Sequence, residues 1–379
     1  MNPPHEVRVL AAGAQALTAP GFRVRVLLLR PELLSHGVRV DPLPLFEASE
    51  ASAFAGAGPA QRATVLLRAR RRFSRRLSDR ERAGEAVALI QRQVDLLPQL
   101  TLERRAAKGR RLVWDVDDAI WLDASPAARG HRLAVLKGTG RKVRWYAERA
   151  DEIVTANVYL ADYLSRFSSR VTIVPSVVET RGVAPRRHAN GDEIVLGWIG
   201  SATTAPYLRH LMPTISRAAR ELRPRKVRLV SIGATMPTID GVEVESRAWT
   251  LDSELEGLLR IDVGLMPMPD DDWTRGKSAY KALQYMSAGI PVVADDVGVA
   301  SSALDSGRAG LIVRSETAWL EALVALAGDP GFRGRLGDHG RRHVEERFSV
   351  ERWAPVVASI IRGNPAGPAT QPVAERAIV

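Results

Sequence analysis

The sequence predicts an α/β protein built from two doubly wound domains. Its 379 residues exceed what one ordinary core accommodates. Apolar runs of strand length alternate with amphipathic runs of helical length, which is typical of parallel sheets wrapped by helices. The alternation breaks between Glu179 and Asp192, where Pro, Gly and Arg replace the apolar periodicity, as in an interdomain linker.

Residues 1–180 form the first predicted domain, in which strands alternate with helices. The strands are expected at VRVLAAG, VRVDPLP, AVALIQRQ, RLVWDV, DEIVTAN and VTIVPS. Residues 193–345 form the second, with strands at EIVLGWIGS, KVRLVSIGA, VEVES, IDVGLMPM, PVVAD and AGLIVRS. A helix is predicted over 346–363. Residues 364–379, rich in Pro, Ala and polar side chains, are expected to form a disordered tail.

Composition excludes several classes of protein and favours a cytoplasmic location. The chain has no cysteine, which excludes disulfides, thiolate nucleophiles and cysteine-ligated metals. The N-terminal segment is interrupted by Glu6 and Arg8, and no run of ~18 apolar residues occurs. Neither a signal peptide nor a membrane span is therefore expected.

The net charge of +11 is concentrated in the arginine-rich run from Arg62 to Arg82. This run is compatible with a solvated helix face, with an amphipathic helix on an anionic membrane surface, or with nucleic-acid binding. No nucleic-acid motif of defined spacing accompanies it, so no nucleic-acid partner is expected. A peripheral position at the inner membrane face remains open.

The segment from Ile261 to Asp295 predicts an anion site. An apolar strand leads into the acidic loop 270–272 and then to Thr274, the expected N-cap of one helix that Gly289 and Pro291 stop. Spacing puts Lys277, Lys281 and Gln284 on one face of this helix. Ligands of doubly wound sheets bind at strand ends and helix N-termini, so two lysines in the first turns of this helix indicate a phosphate site. The alternative is that both are ordinary surface lysines.

A second polar motif, WDVDDAIW, follows a strand of the first domain. Asp115, Asp117 and Asp118 are expected at the carboxyl end of that strand. A metal-holding Asp-x-Asp, the acid pair of a phosphatase, and helix or turn capping are the alternatives from the residues alone. The phosphatase pair normally sits on the first strand, and the metal-holding alternative leaves the lysine segment unexplained.

Several motifs in register resemble family 4 glycosyltransferases of the GT-B fold. The matches in the second domain are Gly264 to Pro267, Trp273, Arg275 to Lys277, Lys281 to Met286, Gly289 to Val293 and the GWIGS turn. The resemblance implies two Rossmann-like doubly wound domains facing a cleft, with the final helix crossing back to the N-terminal domain. It implies a retaining transfer of a sugar from a nucleotide-diphosphate donor, needing no metal and no cofactor beyond that substrate.

The resemblance also implies roles for particular residues. The first domain would bind a glycan, lipid-linked or small-molecule acceptor, with Asp117 and Asp118 near the reacting centre where relatives carry His or His-Asp. The donor would be bound by Gly200, Ser201, Arg275, Lys277, Lys281 and Gln284. The chain departs from the family pattern because Gly276 and Gln284 replace two glutamates and no lysine follows GWIGS. A catalytically silent nucleotide- or glycan-binding protein of the same fold is the alternative.

Overall fold

A computed structural model describes residues 6–122 and 138–364. The chain divides into two compact units. The first extends to Val177 and resumes at Val350, and the second runs from Val178 to Ser349. Within the described residues no helix is both long and apolar enough to cross a membrane.

The first unit is built on a parallel sheet of six strands in the order β2-β1-β3-β4-β5-β6. The order reverses between β1 and β3, which marks the ligand-binding switch point of such sheets. The strands are β1 (Val7–Gly13), β2 (Val38–Pro44), β3 (Val87–Gln91), β4 (Arg111–Val116), β5 (Glu152–Thr155) and β6 (Val171–Ile173).

Helices cover both faces of this sheet. They are α1 (Pro20–Phe22), continued by a π-helical turn (Arg23–Leu27), α2 (Arg30–Ser35), α3 (Ala48–Gly56), α4 (Pro59–Arg82), α5 (Thr101–Ala107), a 3-10 turn (Ile120–Leu122), α6 (Thr139–Arg149) and α7 (Val158–Leu164). The arginine-rich run therefore forms a helix, as predicted. Leu66, Ala69, Phe73 and Leu77 repeat at helical spacing and bury one face of α4 in the core.

The second unit has its own six-stranded parallel sheet, in the order β12-β11-β10-β7-β8-β9. The strands are β7 (Glu193–Ile199), β8 (Lys226–Ile232), β9 (Val242–Arg247), β10 (Val263–Met266), β11 (Val292–Asp295) and β12 (Gly310–Val313). The order reverses between β7 and β10, so the switch point lies where the loops after these two strands leave the sheet.

The helices of this unit are α8 (Ala205–Glu221), α9 (Leu251–Leu258), α10 (Asp272–Arg275), α11 (Tyr280–Ser287), α12 (Ala300–Ala303), α13 (Glu316–Gly328) and α14 (Pro330–Arg347), with a 3-10 turn at Asp305–Gly307. Two sheets of this kind confirm the predicted doubly wound α/β class.

The last helix, α15 (Val350–Ile361), belongs to the first unit. Trp353, Val357 and Ile360 lie in the same apolar cluster as Val9 and Leu33. The predicted return of the final helix to the N-terminal domain is thus confirmed. Residues 365–379 of the expected tail lie outside the described part. Its first residue, Asn364, is described, and its N–H donates to the Ser359 carbonyl at 3.0 Å.

The predicted linker, Glu179 to Asp192, is fully described and contains no helix or strand. Side chains and backbone groups of this segment nevertheless make hydrogen bonds and an ion pair with the rest of the second unit. The Arg186 guanidinium lies 2.6 Å from an Asp262 carboxylate oxygen, and His188 Nε2 lies 2.9 Å from the Gly289 carbonyl oxygen. Arg341 also donates to the Thr180 carbonyl at 2.6 Å.

Candidate functional site

The loop after β10 differs from its prediction in one respect. Two short helices, α10 and α11, replace the single helix expected from Thr274, so the predicted shared face of Lys277, Lys281 and Gln284 is wrong. Thr274 is not the N-cap. Asp271 caps α10, accepting from the Thr274 N–H at 2.9 Å, and the Thr274 hydroxyl accepts from the Asp271 N–H at 3.1 Å.

The break falls at Ala279, which has φ 50° although it is not glycine. The left-handed conformation is costly for a residue with a Cβ, and it ends any helix that reaches it. The predicted stop is confirmed, because α11 ends at Ser287 and Gly289 has φ 68°.

Arg275 and Lys277 both precede this break and have different surroundings. The Arg275 guanidinium makes two bonds to the Asp270 carboxylate, at 2.6 and 3.0 Å, so its charge is largely neutralised by the acidic loop. The Lys277 ammonium lies 4.5 Å from the centre of the Trp273 ring, a cation–π distance. A carboxylate thus contacts Arg275 and an indole ring contacts Lys277.

Lys281 occupies the first turn of α11 and reaches the switch point. Its ammonium lies 4.8 Å from the centre of the Trp198 ring on β7 and 3.5 Å from the Thr204 hydroxyl. Thr204 is the N-cap of α8, a 17-residue helix whose positive dipole end adds to the field of the ammonium. Three elements, β7, α8 and α11, thus converge on one cation.

Electrostatics single out Lys281 among the predicted site residues. Burial, together with the neighbouring charge of Lys277, lowers the pKa of Lys281 to about 7. Among the described residues no carboxylate pairs with this ammonium. Lys281 is half-buried, and a charge withdrawn from water without a counter-charge is costly, so a bound anion would relieve that cost.

The remaining predicted donor residues lie nearby on the same elements. Gly200 follows β7, and its N–H donates to the Ile232 carbonyl at 2.9 Å, so this amide is engaged within the sheet. A Cβ on Gly200 would lie 2.4 Å from the Trp198 ring. Ser201 is exposed and its hydroxyl lies 2.7 Å from that of Thr203. Gln284, three residues after Lys281 on α11, is 5% exposed.

Tyr285 fixes α11 against the sheet below this site. Its hydroxyl accepts from the Ile199 N–H at 2.9 Å and lies 3.3 Å from the Gly197 carbonyl oxygen. The ring lies where a side chain on Gly264 would be, since a Cβ there would come within 2.4 Å of it. The helix that carries Lys281 is thus anchored to β7 and β10 together.

In the first unit, the acidic motif after β4 divides into two ion pairs. Asp115 is paired with Arg25 through a bond of 2.7 Å, and both side chains are almost fully buried. Arg25 also donates to the Val174 carbonyl at 2.7 Å. Asp115 therefore links the π-helical turn to the sheet through an ion pair with Arg25, and not through the helix or turn capping considered for this residue.

Asp117 and Asp118 meet Arg92, which follows β3. The guanidinium bonds Asp117 at 2.5 and 2.9 Å and Asp118 at 2.5 Å, and the Gln91 amide donates to Asp117 at 2.8 Å. Burial alone would lower the pKa of Arg92, but the charges of Asp117 and Asp118 outweigh it and raise that pKa. Both carboxylates are therefore held in fixed positions next to a permanent cation.

Backbone geometry also marks this cluster. Arg92 has φ 58°, its N–H donates to the Asp115 carbonyl at 2.8 Å, and its own carbonyl accepts from Trp114 Nε1 at 2.8 Å. A Cβ on Gly21 of α1 would lie 2.7 Å from Gln15 Oε1 and 3.1 Å from the Arg92 guanidinium, so a side chain at this position would require both groups to shift. The cluster lies at the switch point between β1 and β3.

Sequence reasoning missed several members of these sites. Arg92 is not among the predicted site residues, although parallel pairing of β3 with β4 sets Gln91 opposite Asp115 and brings the two strand ends together. Arg25 carried no signal, since arginines are abundant in this chain. Trp198 belongs to the matched GWIGS turn, and Thr204 follows shortly after it in the chain. Within the described ranges no group of three or more His, Asp or Glu is placed to hold a metal ion.

Comparison with known proteins places the second unit in a family. Residues 193–329 match the family model described as glycosyl transferases group 1. A D-inositol 3-phosphate glycosyltransferase from Arthrobacter sp. (strain FB24) is 37% identical over 106 residues, which cover 27% of this chain and 24% of that protein. The match thus spans about a quarter of the length of the curated relatives.

Solved structures resemble the chain over nearly its whole length. A sucrose-phosphate synthase from Thermosynechococcus elongatus superposes with a TM-score of 0.68 at 16% identity, over 94% of this chain and 98% of that one. Anabaena Alr3699/HepE, solved with UDP-glucose, gives a TM-score of 0.63 at 11% identity, over 94% and 99%. Identities this low show the fold alone, which is GT-B. Together with the family match over residues 193–329, this fold confirms the resemblance of the chain to family 4 glycosyltransferases of the GT-B fold.

Proposed function

We propose that the protein is a glycosyltransferase that moves a sugar from a nucleotide-diphosphate sugar to a glycan, lipid-linked or small-molecule acceptor. The family match over 193–329 and the name of the Arthrobacter relative support this activity. The UDP-glucose bound by the Anabaena protein makes uridine nucleotides the first donors to test. Retention of configuration and independence of metal belong to the same proposal and rest on the family resemblance.

The observation that carries the proposal is the uncompensated charge of Lys281 at the switch point of the second sheet. A donor diphosphate would supply the missing negative charge. In the transfer step the bond from the sugar to the diphosphate breaks, and negative charge grows on the leaving oxygen. Lys281 and Lys277, fixed before the reaction begins, would stabilise that charge.

In the first unit, Asp117 and Asp118 are proposed to act on the acceptor side. Either carboxylate could accept a hydrogen bond from the acceptor hydroxyl or stabilise positive charge on an oxocarbenium-like transition state. Arg92 would keep both carboxylates oriented, because it bonds each of them. Arg92 is thus proposed as a positioning residue.

The proposal is tested by a thermal-shift screen of the full-length protein against uridine, guanosine, adenosine and thymidine diphosphates and their sugars. A ligand at 100 times its dissociation constant stabilises a protein by about 2.7 kcal/mol, which such a screen detects. Donors that respond are then incubated with the protein and with simple sugar or lipid-phosphate acceptors. Nucleotide binding without release of nucleotide diphosphate from any donor would favour the silent binding protein, and no response to any nucleotide would reject both the transferase and the nucleotide-binding alternative.

We further propose that α4 brings the protein to an anionic membrane surface. Arg68, Arg71 and Arg75 are exposed, repeat at helical spacing, and pair with no carboxylate in the described part of the chain. Leu67, which is 50% exposed, lies among them. Arg72 and Arg76 differ, because they bond Glu50 and Glu47. This proposal gives the protein a peripheral position at the cytoplasmic face.

A further inference from the structure

A basic pocket of about 230 Å³ lies on the second unit, among residues that take no part in the site at Lys281. It is formed between the 3-10 turn Asp305–Gly307 and the last turns of α14. Its lining comprises Asp305, Arg308, His339, Arg342, His343, Glu346 and Arg347. The helical residues recur at intervals of three and four, which places them on one face of α14.

Asp305 organises the basic groups around one wall of this pocket. Its carboxylate lies 2.7 Å from His339 Nε2 and accepts from the Arg308 guanidinium at 2.8 Å. His343 Nδ1 lies 4.0 Å from the same carboxylate. The other ring nitrogen of His343 is buried and has no hydrogen-bond partner among the described residues. A buried polar atom of this kind requires an explanation, and a ligand is one.

The charge of the pocket favours anions. Three guanidinium groups face two carboxylates, so the pocket is positive even when both histidines are neutral. Protonation of His339 and His343 would add to that charge. Burial lowers the pKa of His343, and Asp305 partly opposes this effect. His343 also faces Arg308 across the pocket and Arg342, Glu346 and Arg347 along its own helix.

The backbone of the turn is held in an uncommon conformation. Asp305 and Ser306 have φ of 51° and 54°, and Gly307 has φ 92°. Two consecutive side-chain-bearing residues in the left-handed region are costly, and such segments cluster at binding sites. The conformation places the Asp305 carboxylate against α14.

We propose that this pocket binds a doubly charged oxyanion, either a free phosphate or sulfate ion or the phosphate of a monoester. Arginine forks match the geometry of tetrahedral oxyanions, and histidine N–H groups add further donors. The affinity should rise as the pH falls, because an anion favours the protonated histidines. The proposal does not depend on the glycosyltransferase activity.

Sodium sulfate is the first probe, because it stays doubly charged while histidines titrate between about pH 5.5 and 8. The full-length protein is titrated at constant ionic strength, by calorimetry and by the side-chain NMR resonances of His339 and His343. We expect those resonances to shift on binding, and the affinity to increase as the pH is lowered. Arg342→Gln should weaken binding by about tenfold or more. Arg335→Gln is the matched control, because Arg335 lies exposed on α14 and pairs with Asp329 outside the pocket.

The histidine resonances separate this pocket from the site at Lys281. In a Lys281→Ala variant, sulfate should still shift both histidines to the same extent. Glycerol phosphate then distinguishes the two sources of the anion, since a shift with sulfate alone indicates a free ion and a shift with both indicates a monoester. Unmoved histidine resonances, or equal affinity in Arg342→Gln and Arg335→Gln, would overturn the proposal.

Discussion

The ammonium of Lys281 lies 4.8 Å from the centre of the buried Trp198 ring, so the indole forms one wall around this cation. A ring face is a weak partner compared with a carboxylate, and it cannot neutralise a charge. The arrangement keeps Lys281 in place while leaving its charge available. The second unit thus presents a fixed cation at the switch point of its sheet.

Replacement of Lys281 by Ala should weaken nucleotide-diphosphate binding by roughly ten- to a hundredfold. Lys277→Ala should have a smaller effect. The reason is that Lys281, and not Lys277, lies on the first turn of a helix and beside the N-terminus of α8. Calorimetric titration with the best-binding nucleotide measures both, and Lys226→Ala, an exposed residue at the start of β8, is the control. Unchanged affinity in both site variants would show that the phosphate site is elsewhere.

Donor binding should weaken as the pH rises above 7. The pKa of Lys281 is about 7 in the free protein, so the amine is increasingly neutral at higher pH and must take up a proton to bind an anion. The affinity should therefore fall by up to about tenfold per pH unit until the pKa of the bound state is reached. The second ionisation of a phosphate, near pH 6, is complete over this range. Calorimetry at several pH values tests this, and Lys281→Arg should remove most of the dependence because Arg stays charged.

Asp117→Asn and Asp118→Asn should each lower kcat by about tenfold or more while leaving the donor KM nearly unchanged. The amide keeps the shape of the carboxylate but loses its charge. Arg92→Lys should lower kcat to a smaller degree, because it keeps a charge but loses the two-pronged contact with Asp117. Asp79→Asn, on an exposed part of α4, serves as the control. Equal kcat in all four proteins would assign Asp117 and Asp118 a structural role.

The buried pair Arg25–Asp115 should contribute to stability and not to chemistry. Asp115→Asn should destabilise the first unit by about 3 kcal/mol or more, since it leaves the Arg25 charge uncompensated. The double variant Arg25→Met, Asp115→Leu removes both charges and should recover much of that loss. Denaturant unfolding measures both. A double variant less stable than Asp115→Asn would contradict this interpretation.

Membrane binding should depend on the unpaired arginines of α4. We expect the protein to co-sediment with vesicles that contain anionic lipid and not with neutral vesicles, and added salt should reduce the bound fraction. The triple variant Arg68→Gln, Arg71→Gln, Arg75→Gln should lose binding to the anionic vesicles. The control replaces three exposed arginines of α8 by Gln, namely Arg209, Arg217 and Arg220. This variant loses the same amount of charge and should still bind the anionic vesicles. Similar loss in both triple variants would mean that only net charge matters.

The fold could be predicted from sequence because its signals are local. Each predicted strand is an apolar run such as VRVLAAG. The return of α15 was implied by the family resemblance, and Trp353 and Val357 hold the helix in the core of the first unit. The break at Ala279 could not be predicted, since nothing in an alanine marks a left-handed backbone. The contacts of Arg92 and Arg25 were hidden for another reason. Arg92 contacts Asp117, 25 positions later in the chain, and Arg25 contacts Asp115, 90 positions later. Only the strand order brings the partners of each contact together.

The fit between Gly264 and Tyr285 has a consequence for how this sequence can change over evolutionary time. The phenol occupies the space of any side chain at position 264, and its hydroxyl reaches backbone groups of β7. A larger residue at 264 would displace the helix that carries Lys281, and a smaller residue at 285 would leave a cavity and an unbonded amide at Ile199. Neither position can vary alone without cost. Across descendants of this gene the two positions should covary as a pair, with intermediates that carry only one of the changes seldom surviving selection.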